Sequence, residues 1–179
     1  DFVYRLSLNL ARSKIDELDG CIHGVIAELG DWLGSDRAYL INFEEATQTI
    51  SISHETCRDG VTPQRDAIQN VPKDRYPWLM EQLQILPVLV IPEVEQLPPD
   101  AKEEKLEFLR ESIRSLVLVG LKLEGQVSGI LGFDFLYHSC ALDPGTEEFL
   151  LQVGEVLGAS VHRQILASRN VRFENSLYR

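Results

Sequence analysis

Two adjacent residues, His54 and Glu55, have the side-chain types that general acid–base catalysis uses. They fall in a segment of strand character, and adjacent side chains in a strand point to opposite faces of a sheet. We therefore expect that the two residues cannot act together on one substrate. The other histidines do not have the spacing of metal ligands, so the sequence predicts no metal site.

The three cysteines, Cys21, Cys57 and Cys140, are widely separated along the chain. None belongs to a Cys-x-x-Cys pair, which argues against zinc and against a disulfide scaffold. This use of cysteine fits a reducing, cytoplasmic setting. We expect buried rather than reactive thiols, because no residue pattern beside them is suited to lowering a thiol pKa.

Asp134 lies in a largely apolar segment, residues 127–136, with strand character. A buried carboxylate costs several kcal/mol unless it is paired. Asp134 should therefore form an ion pair, which is the interpretation we favour, or serve as a polar anchor in a ligand pocket. Arg37, at the start of the first predicted strand, has the same two possible roles.

The chain is acidic, with 17 lysines and arginines against 28 aspartates and glutamates and a formal net charge of −11 over 179 residues. This balance disfavours direct binding to nucleic acid or to anionic lipid. No apolar run approaches the ~18 residues that a membrane-spanning helix needs. Residue 1 is Asp rather than Met, and we expect a one-domain piece of a longer protein.

Hydrophobic patterning predicts five strands, at residues 38–43, 50–57, 88–94, 116–123 and 127–136. The last two form a hairpin around Gly125, and both arms are apolar almost throughout. A half-exposed strand would alternate more cleanly. We therefore expect helices from the two chain ends to cover one sheet face and the middle of the chain to cover the other.

The middle of the chain is expected to contain two short helices, the first of which follows Pro77. The second opens near residue 98, with Leu106, Leu109 and Ile113 on its buried side and the charged residues 102–105 exposed. Such a loop-rich layer is expected to leave a cavity against the sheet.

The last segment, from about residue 144, is predicted to form one long helix with two stripes. The stripe suited to the protein's own sheet contains Leu150, Val153, Leu157, Val161 and Ile165. The other has the spacing of a coiled-coil seam and contains Phe149, Gln152, Val156, Ala159, Arg163, Leu166, Asn170, Phe173 and Leu177. Only this seam persists beyond Leu166, which predicts pairing with a second copy of the chain.

An ordered series of short motifs resembles the GAF domains of bacterial, often cyanobacterial, multidomain signalling proteins. The motifs span the chain and include Ser35-Asp36-Arg37-Ala38-Tyr39, His54-Glu55, Asp59-Gly60-Val61, Pro77-Trp78-Leu79, Ile91-Pro92-Glu93-Val94, Ile113-Arg114-Ser115-Leu116, Gly129-Ile130-Leu131-Gly132-Phe133-Asp134 and Val153-Gly154-Glu155-Val156-Leu157. The resemblance implies an α+β fold, with about six antiparallel strands, terminal helices on one face and a small-molecule pocket on the other.

The resemblance further implies a GAF domain over residues 1–166 and the start of a signalling helix over 167–179, leading to a histidine kinase or diguanylate cyclase-type output. The expected ligand-pocket residues are Cys57, Trp78, Ser115 and Asp134. The expected homodimer interface contains Ile22, Val156, Leu166, Phe173 and Leu177. The favoured function is a non-catalytic sensor or dimerising input module, whose small-molecule ligand the sequence does not identify.

Three alternative functions remain open. Bilin-binding photoreceptors use this fold, but residues 61–113, where we expect such a protein to carry its chromophore cysteine, contain none, so we do not expect a bilin. An enzyme resembling free methionine sulfoxide reductase would have cysteines around the pocket, whereas Cys21 should face away from it. A cyclic-nucleotide regulator is a weaker alternative, because the Asn-Lys-Phe signature of that subgroup is absent.

Overall fold

The computed structural model describes residues 1–179 and contains one sheet of six antiparallel strands, in the order β3-β2-β1-β6-β5-β4. The strands are β1 (Arg37–Glu44), β2 (Thr49–Cys57), β3 (Val71–Pro72), β4 (Val88–Ile91), β5 (Ser115–Leu123) and β6 (Gln126–Phe135). The expected α+β, GAF-like fold class is confirmed. Patterning missed only β3, because a two-residue edge strand is too short to show a period.

The β5–β6 hairpin turns at Glu124 and Gly125, whose φ angles are 52° and 79°. Two successive positive φ values are typical of a type I′ turn, which matches the twist of the strands it joins. The continuous apolar character of the hairpin is explained by cover on both faces. Residues such as Val119 and Leu131 face one layer, and Leu118 and Ile130 face the other.

The first covering layer consists of helices α1 (Phe2–Arg12), α2 (Ile15–Leu33) and α5 (Pro144–Leu177). α5 lies mainly over β5, and α2 lies over β1 and β2. Arg163 of α5 donates hydrogen bonds to the backbone carbonyls of Leu10, Ala11 and Ser13, where α1 ends. None of these helices combines the length and apolar character needed to cross a membrane.

The second covering layer, which we call the roof layer, comprises the parts of residues 58–114 that lie outside strands β3 and β4. It contains α3 (Pro77–Ile85), α4 (Lys102–Arg110) and short turns between them. Leu79, Leu83 and Phe108 pack from this layer onto the second face of the sheet. The predicted division between terminal helices on one face and the middle of the chain on the other is therefore confirmed.

The predicted buried side of α4 is wrong for two of its three members. Leu106 and Leu109 are 57% and 39% exposed, whereas Ile113, just beyond the helix, is buried as expected. The buried side is instead formed by Glu104 and Phe108, and it continues to Glu111. Glutamate at two of these positions hides the period, because apolar residues alone define the wrong face of the helix.

The predicted dimer interface needs one correction. Ile22 is fully buried in the core between the terminal helices and the sheet, so it cannot contact a second copy. It lies in the apolar stripe of α2 that packs onto the sheet. Leu166, Phe173 and Leu177 are 45%, 66% and 67% exposed, and Val156 is half-buried.

Candidate functional site

A cavity of about 50 Å³ lies between the sheet and the roof layer. Its apolar walls are formed by Ile41, Ile50, Ile52, Leu118 and Ile130 from the sheet and by Ile68, Leu79 and Phe108 from the roof layer. Sites for drug-sized ligands are typically ~300–1,000 Å³, whereas a water molecule needs only ~10–15 Å³. The cavity therefore suits a small ligand unless the roof layer moves.

One part of the cavity lining is polar. It contains the carboxyl groups of Glu55, Glu107, Glu111 and Asp134, with Gln64 and the phenols of Tyr39 and Tyr76. No lysine, arginine or histidine is among the fifteen lining residues. The site thus joins an apolar pocket to a cluster of acids.

Asp134 is held at the cavity by two partners on β1. The Arg37 side chain donates from Nε to Oδ2 of Asp134 at 2.9 Å, and the Tyr39 hydroxyl donates to Oδ1 at 2.9 Å. Asp134 and Arg37 are each 1% exposed. The favoured ion pair is confirmed, and the same carboxylate also lines the cavity.

Arg37 is fixed on the far side of this pair. Its Nη1 donates to the carbonyl oxygen of Thr62 at 2.8 Å, and its Nη2 donates to the backbone carbonyl oxygen of Glu111. All three nitrogens of the guanidinium are therefore engaged. Arg37 joins the start of β1 to two separate points of the roof layer.

Burial strongly affects the acids of the site. It raises the pKa of Glu111 to about 9, and repulsion from Asp134 and Glu107 adds to the effect while Arg37 opposes it. Burial also raises the pKa of Asp134 to about 6, against the opposing charge and hydrogen bond of Arg37. Glu111 is therefore protonated at neutral pH.

The other two acids have partners outside the cavity. The carboxylate of Glu55 accepts hydrogen bonds from the backbone N–H groups of Gln64, at 2.9 Å, and Arg65, at 3.0 Å. Glu107 accepts a bidentate pair from Arg110, whose Nη2 also donates to Oε1 of Gln64 at 3.0 Å. These bonds tie the loop after β2 to α4 around the polar part of the cavity.

Of the four residues predicted to form the pocket, only Asp134 lines the cavity. The Ser115 hydroxyl donates to the backbone carbonyl oxygen of His138, and successive residues of β5 alternate between the two faces, with Leu116 on the cavity side. Trp78 is half-buried at the margin of the core between the sheet and the roof layer, while its neighbour Leu79 lines the cavity. Ser115 and Trp78 are thus one position out of phase with the cavity.

Cys57 lies at the end of β2, two residues after Glu55, and is not among the lining residues. Burial raises its pKa to about 11, with repulsion from Glu55 contributing. Cys140 is buried among the terminal helices, and Cys21 packs at the edge of the same core. None of the three thiols lines the cavity.

His54 and Glu55 point to opposite faces, as predicted. The Nε2 atom of His54 is 3.1 Å from Oδ1 of Asp19 on α2, whereas Glu55 lines the cavity. Gln164 of α5 donates to the same oxygen of Asp19. The histidine therefore belongs to contacts between the sheet and the terminal helices.

Sequence reasoning missed Tyr39 and Glu111, the two residues that most shape the polar part of the cavity. Tyr39 was detectable, because it lies two positions after Arg37 in a strand and so shares a face with it. Glu111 was not, because the apolar pattern of α4 placed the helix in the wrong orientation. Glu111 follows Phe108 by three residues, a spacing that places both on one side of the helix. This predicts burial of Glu111 only once Phe108 is known to be buried.

Comparison with known proteins finds structural relatives but no sequence relatives: no family model matches the chain, and no curated protein does. The phycocyanobilin-bound GAF domain from a cyanobacterial phytochrome superposes with a TM-score of 0.74 at 18% identity, over 92% of this chain and 94% of that one. The GAF domain of Thermosynechococcus elongatus PixJ, in its blue-light absorbing form, gives 0.61 at 16% identity, over 89% and 90%.

The chromophore-binding domain of Stigmatella aurantiaca bacteriophytochrome gives a TM-score of 0.71 at 15% identity and covers 89% of this chain. This chain spans 58% of the length of that domain. At these identities the similarity concerns the fold alone. The chain has the fold of GAF domains found in photosensory proteins.

Proposed function

We propose that this chain is a non-catalytic sensory GAF module that binds a small molecule in the cavity between the sheet and the roof layer. The observation that carries the proposal is the composition of that cavity. Apolar walls supply binding free energy, and a few convergent polar groups fix orientation, which is the usual organisation of a ligand site. The buried acids cost stability, and a ligand that satisfies them would offset that cost.

The sheet offers a short route from the cavity to the terminal helices. Leu118 and Ile130 line the cavity, while their neighbours Val119 and Leu131 pack against the helices on the opposite face. A ligand shifts the protein only towards the conformation that it binds better. We propose that this shift reaches α5 through β5 and β6.

The output of the module is proposed to be a change in a homodimer formed through α5. Val156, Leu166, Phe173 and Leu177 lie on the predicted seam, and the last three are exposed. A kinase or cyclase attached beyond residue 179 would then read the packing of the paired helices. This continuation of the chain is likewise a proposal.

The decisive experiment is native mass spectrometry of the purified chain, followed by identification of any retained small molecule. We expect a dimer that carries or takes up a ligand, and a Leu118→Trp variant, which fills the cavity, should lose the ligand. Leu106→Trp, on the exposed side of α4, is the matched control. A ligand retained equally by both variants would exclude the cavity as its site.

A second candidate function, a bilin-binding photoreceptor, is favoured by the similar structures, which include a phycocyanobilin-bound GAF domain and a blue-light absorbing one. Against it stand the small cavity and the absence of a cysteine from the lining. A bilin would have to displace the roof layer, and Cys57 is the nearest thiol in sequence to the lining residue Glu55. Coexpression with a bilin-producing pathway tests the idea: visible absorbance that Cys57→Ser abolishes would support it.

A further inference from the structure

The charges around the cavity do not balance. Glu55, Glu107, Glu111 and Asp134 line it, and the two arginines nearest to them in the hydrogen-bond network, Arg37 and Arg110, lie outside the lining. Three of the four acids have donors of their own. Asp134 has Arg37 and Tyr39, Glu107 has Arg110, and Glu55 has two backbone N–H groups.

Glu111 is the exception. It is only 7% exposed, its side chain lines the cavity, and the side-chain hydrogen bond that its carboxyl group forms is with another acid, Glu107. Arg37 cannot fill that role without giving up other bonds, because its Nη2 is engaged by the backbone carbonyl of Glu111 and its other nitrogens by Asp134 and Thr62. The protein thus places a carboxyl group against free space and leaves it without a counter-ion.

We propose that the cavity selects a small organic cation, with an apolar body against the isoleucines and an ammonium or amidinium head that donates to Glu111. This inference rests on the proposed function and names the class of its ligand. The apolar walls match the body, and the buried acids match the head, since N–H donors of a cation make the strongest hydrogen bonds to carboxylates.

An organic cation fits better than a metal ion, because no three acids of the site are grouped closely enough to hold a metal. An anionic ligand would meet four carboxyl groups and no cationic side chain in the lining, which opposes its binding.

The proton balance of this binding step is defined. The free protein holds Glu111 protonated at neutral pH. When the cation arrives, the O–H bond of Glu111 breaks, the proton leaves to solvent, and the carboxylate accepts the hydrogen bond from the ligand. Binding therefore releases one proton. At pH values below the pKa of Glu111, the affinity should rise by about tenfold for each unit of increase in pH, as long as the ligand stays charged.

Three probes of similar size, each with an isopropyl group, test the inference: isobutylammonium, isobutanol and isobutyrate. Each is titrated into the full chain and followed by amide chemical shifts of cavity residues. We expect isobutylammonium to bind at least about tenfold more tightly than either of the others. Calorimetry in buffers of different ionisation enthalpy should show one proton released for the amine and none for the alcohol.

The variant Glu111→Gln should lose the preference for the amine and the proton release, while its weak affinity for the alcohol is kept. Glu103→Gln, at an exposed position of α4, is the control and should behave as the unmodified chain. Proton release is measured on the unmodified chain. It therefore still decides the test if the Glu111→Gln variant does not fold.

Equal binding of the amine and the alcohol, or binding of neither, overturns the inference. The proposed function has a separate criterion, because a neutral or anionic molecule retained in native mass spectrometry and lost from Leu118→Trp would leave the sensory module standing. A chain that retains no molecule and also binds none of the three probes would remove both.

Discussion

The aromatic ring of Tyr39 lies across Gly132, the residue directly opposite it on the neighbouring strand β6. A methyl group at position 132 would overlap that ring. The glycine therefore lets the phenol pass over the strand and reach Asp134, two residues further on. The polar part of the cavity depends on the absence of one side chain.

Gly132→Ala should consequently destabilise the fold by ~1–3 kcal/mol, as overpacking of a dense interior does. The new methyl group would displace Tyr39 and break its hydrogen bond to Asp134. Urea denaturation measures the change. Gly20→Ala, on the exposed surface of α2 with no atom near the new methyl group, is the control and should be neutral or slightly stabilising. Equal effects of the two substitutions would contradict the close-packing argument.

Removal of Arg37 should be among the most damaging single changes in the chain. Arg37→Met leaves Asp134 buried without its counter-ion, and breaking a buried pair in this way typically costs ~3–5 kcal/mol. The double variant Arg37→Met/Asp134→Leu should lose less stability than the sum of the single variants. Arg114→Met, which breaks an ion pair with Glu93 at the surface, should have only a small effect. Additive losses in the double variant would mean that the two side chains are not coupled.

Stability should fall as pH rises above neutrality. Glu111 has a pKa of about 9 in the folded chain, far above its ordinary value near 4.5, so the folded state holds a proton that the unfolded state loses. Between these values, the free energy of unfolding decreases by up to ~1.4 kcal/mol per pH unit. Asp134, with a pKa of about 6, adds to the decline only at lower pH.

The pH effect is best measured by chemical denaturation between about pH 7 and 8.5, above the titration of His54, whose pKa is lowered by burial. Glu111→Gln should flatten the profile in this range. A slope that survives the substitution would assign the effect to another group.

The exposed end of α5 should hold two copies of the chain together. Phe173→Glu places a charge on the seam, where its desolvation opposes pairing, and should convert the dimer to a monomer in sedimentation experiments. Leu106→Glu introduces the same charge at a comparably exposed apolar position on the roof layer and should leave the dimer intact. If the unmodified chain is monomeric at micromolar concentration, the seam prediction is wrong.

The sequence predicts those features that depend on strand alternation. The two-faced burial of β5 and β6 and the opposite directions of His54 and Glu55 follow from a period of two residues. The same rule, applied from Arg37 to Tyr39, places the two partners of Asp134 on one face of β1.

The remaining features have physical causes that a single sequence conceals. Glu104 on α4 and Glu111 just beyond it occupy buried positions where hydrophobic patterning predicts leucine. Buried acids are tolerated when they become neutral or serve a ligand, and patterning does not reveal either condition. Ile22 lies in an apolar stripe that looks the same whether it faces the protein's own sheet or a second copy. Seam positions such as Arg163 are used inside the chain, in contacts that join residues more than 140 positions apart.

The hydrogen bonds from Arg163 to the end of α1 lie close to the point where the last helix leaves the domain. As far as Ile165, α5 is held by the sheet, α1 and α2; the twelve residues beyond it, to Leu177, project for about 18 Å at 1.5 Å per residue. The helix can pivot about these hydrogen bonds, and its projecting end then moves with the tilt. A tilt of a few degrees at the sheet becomes a displacement of an ångström or more at the tip, so small rearrangements within the domain are amplified at the end of the helix.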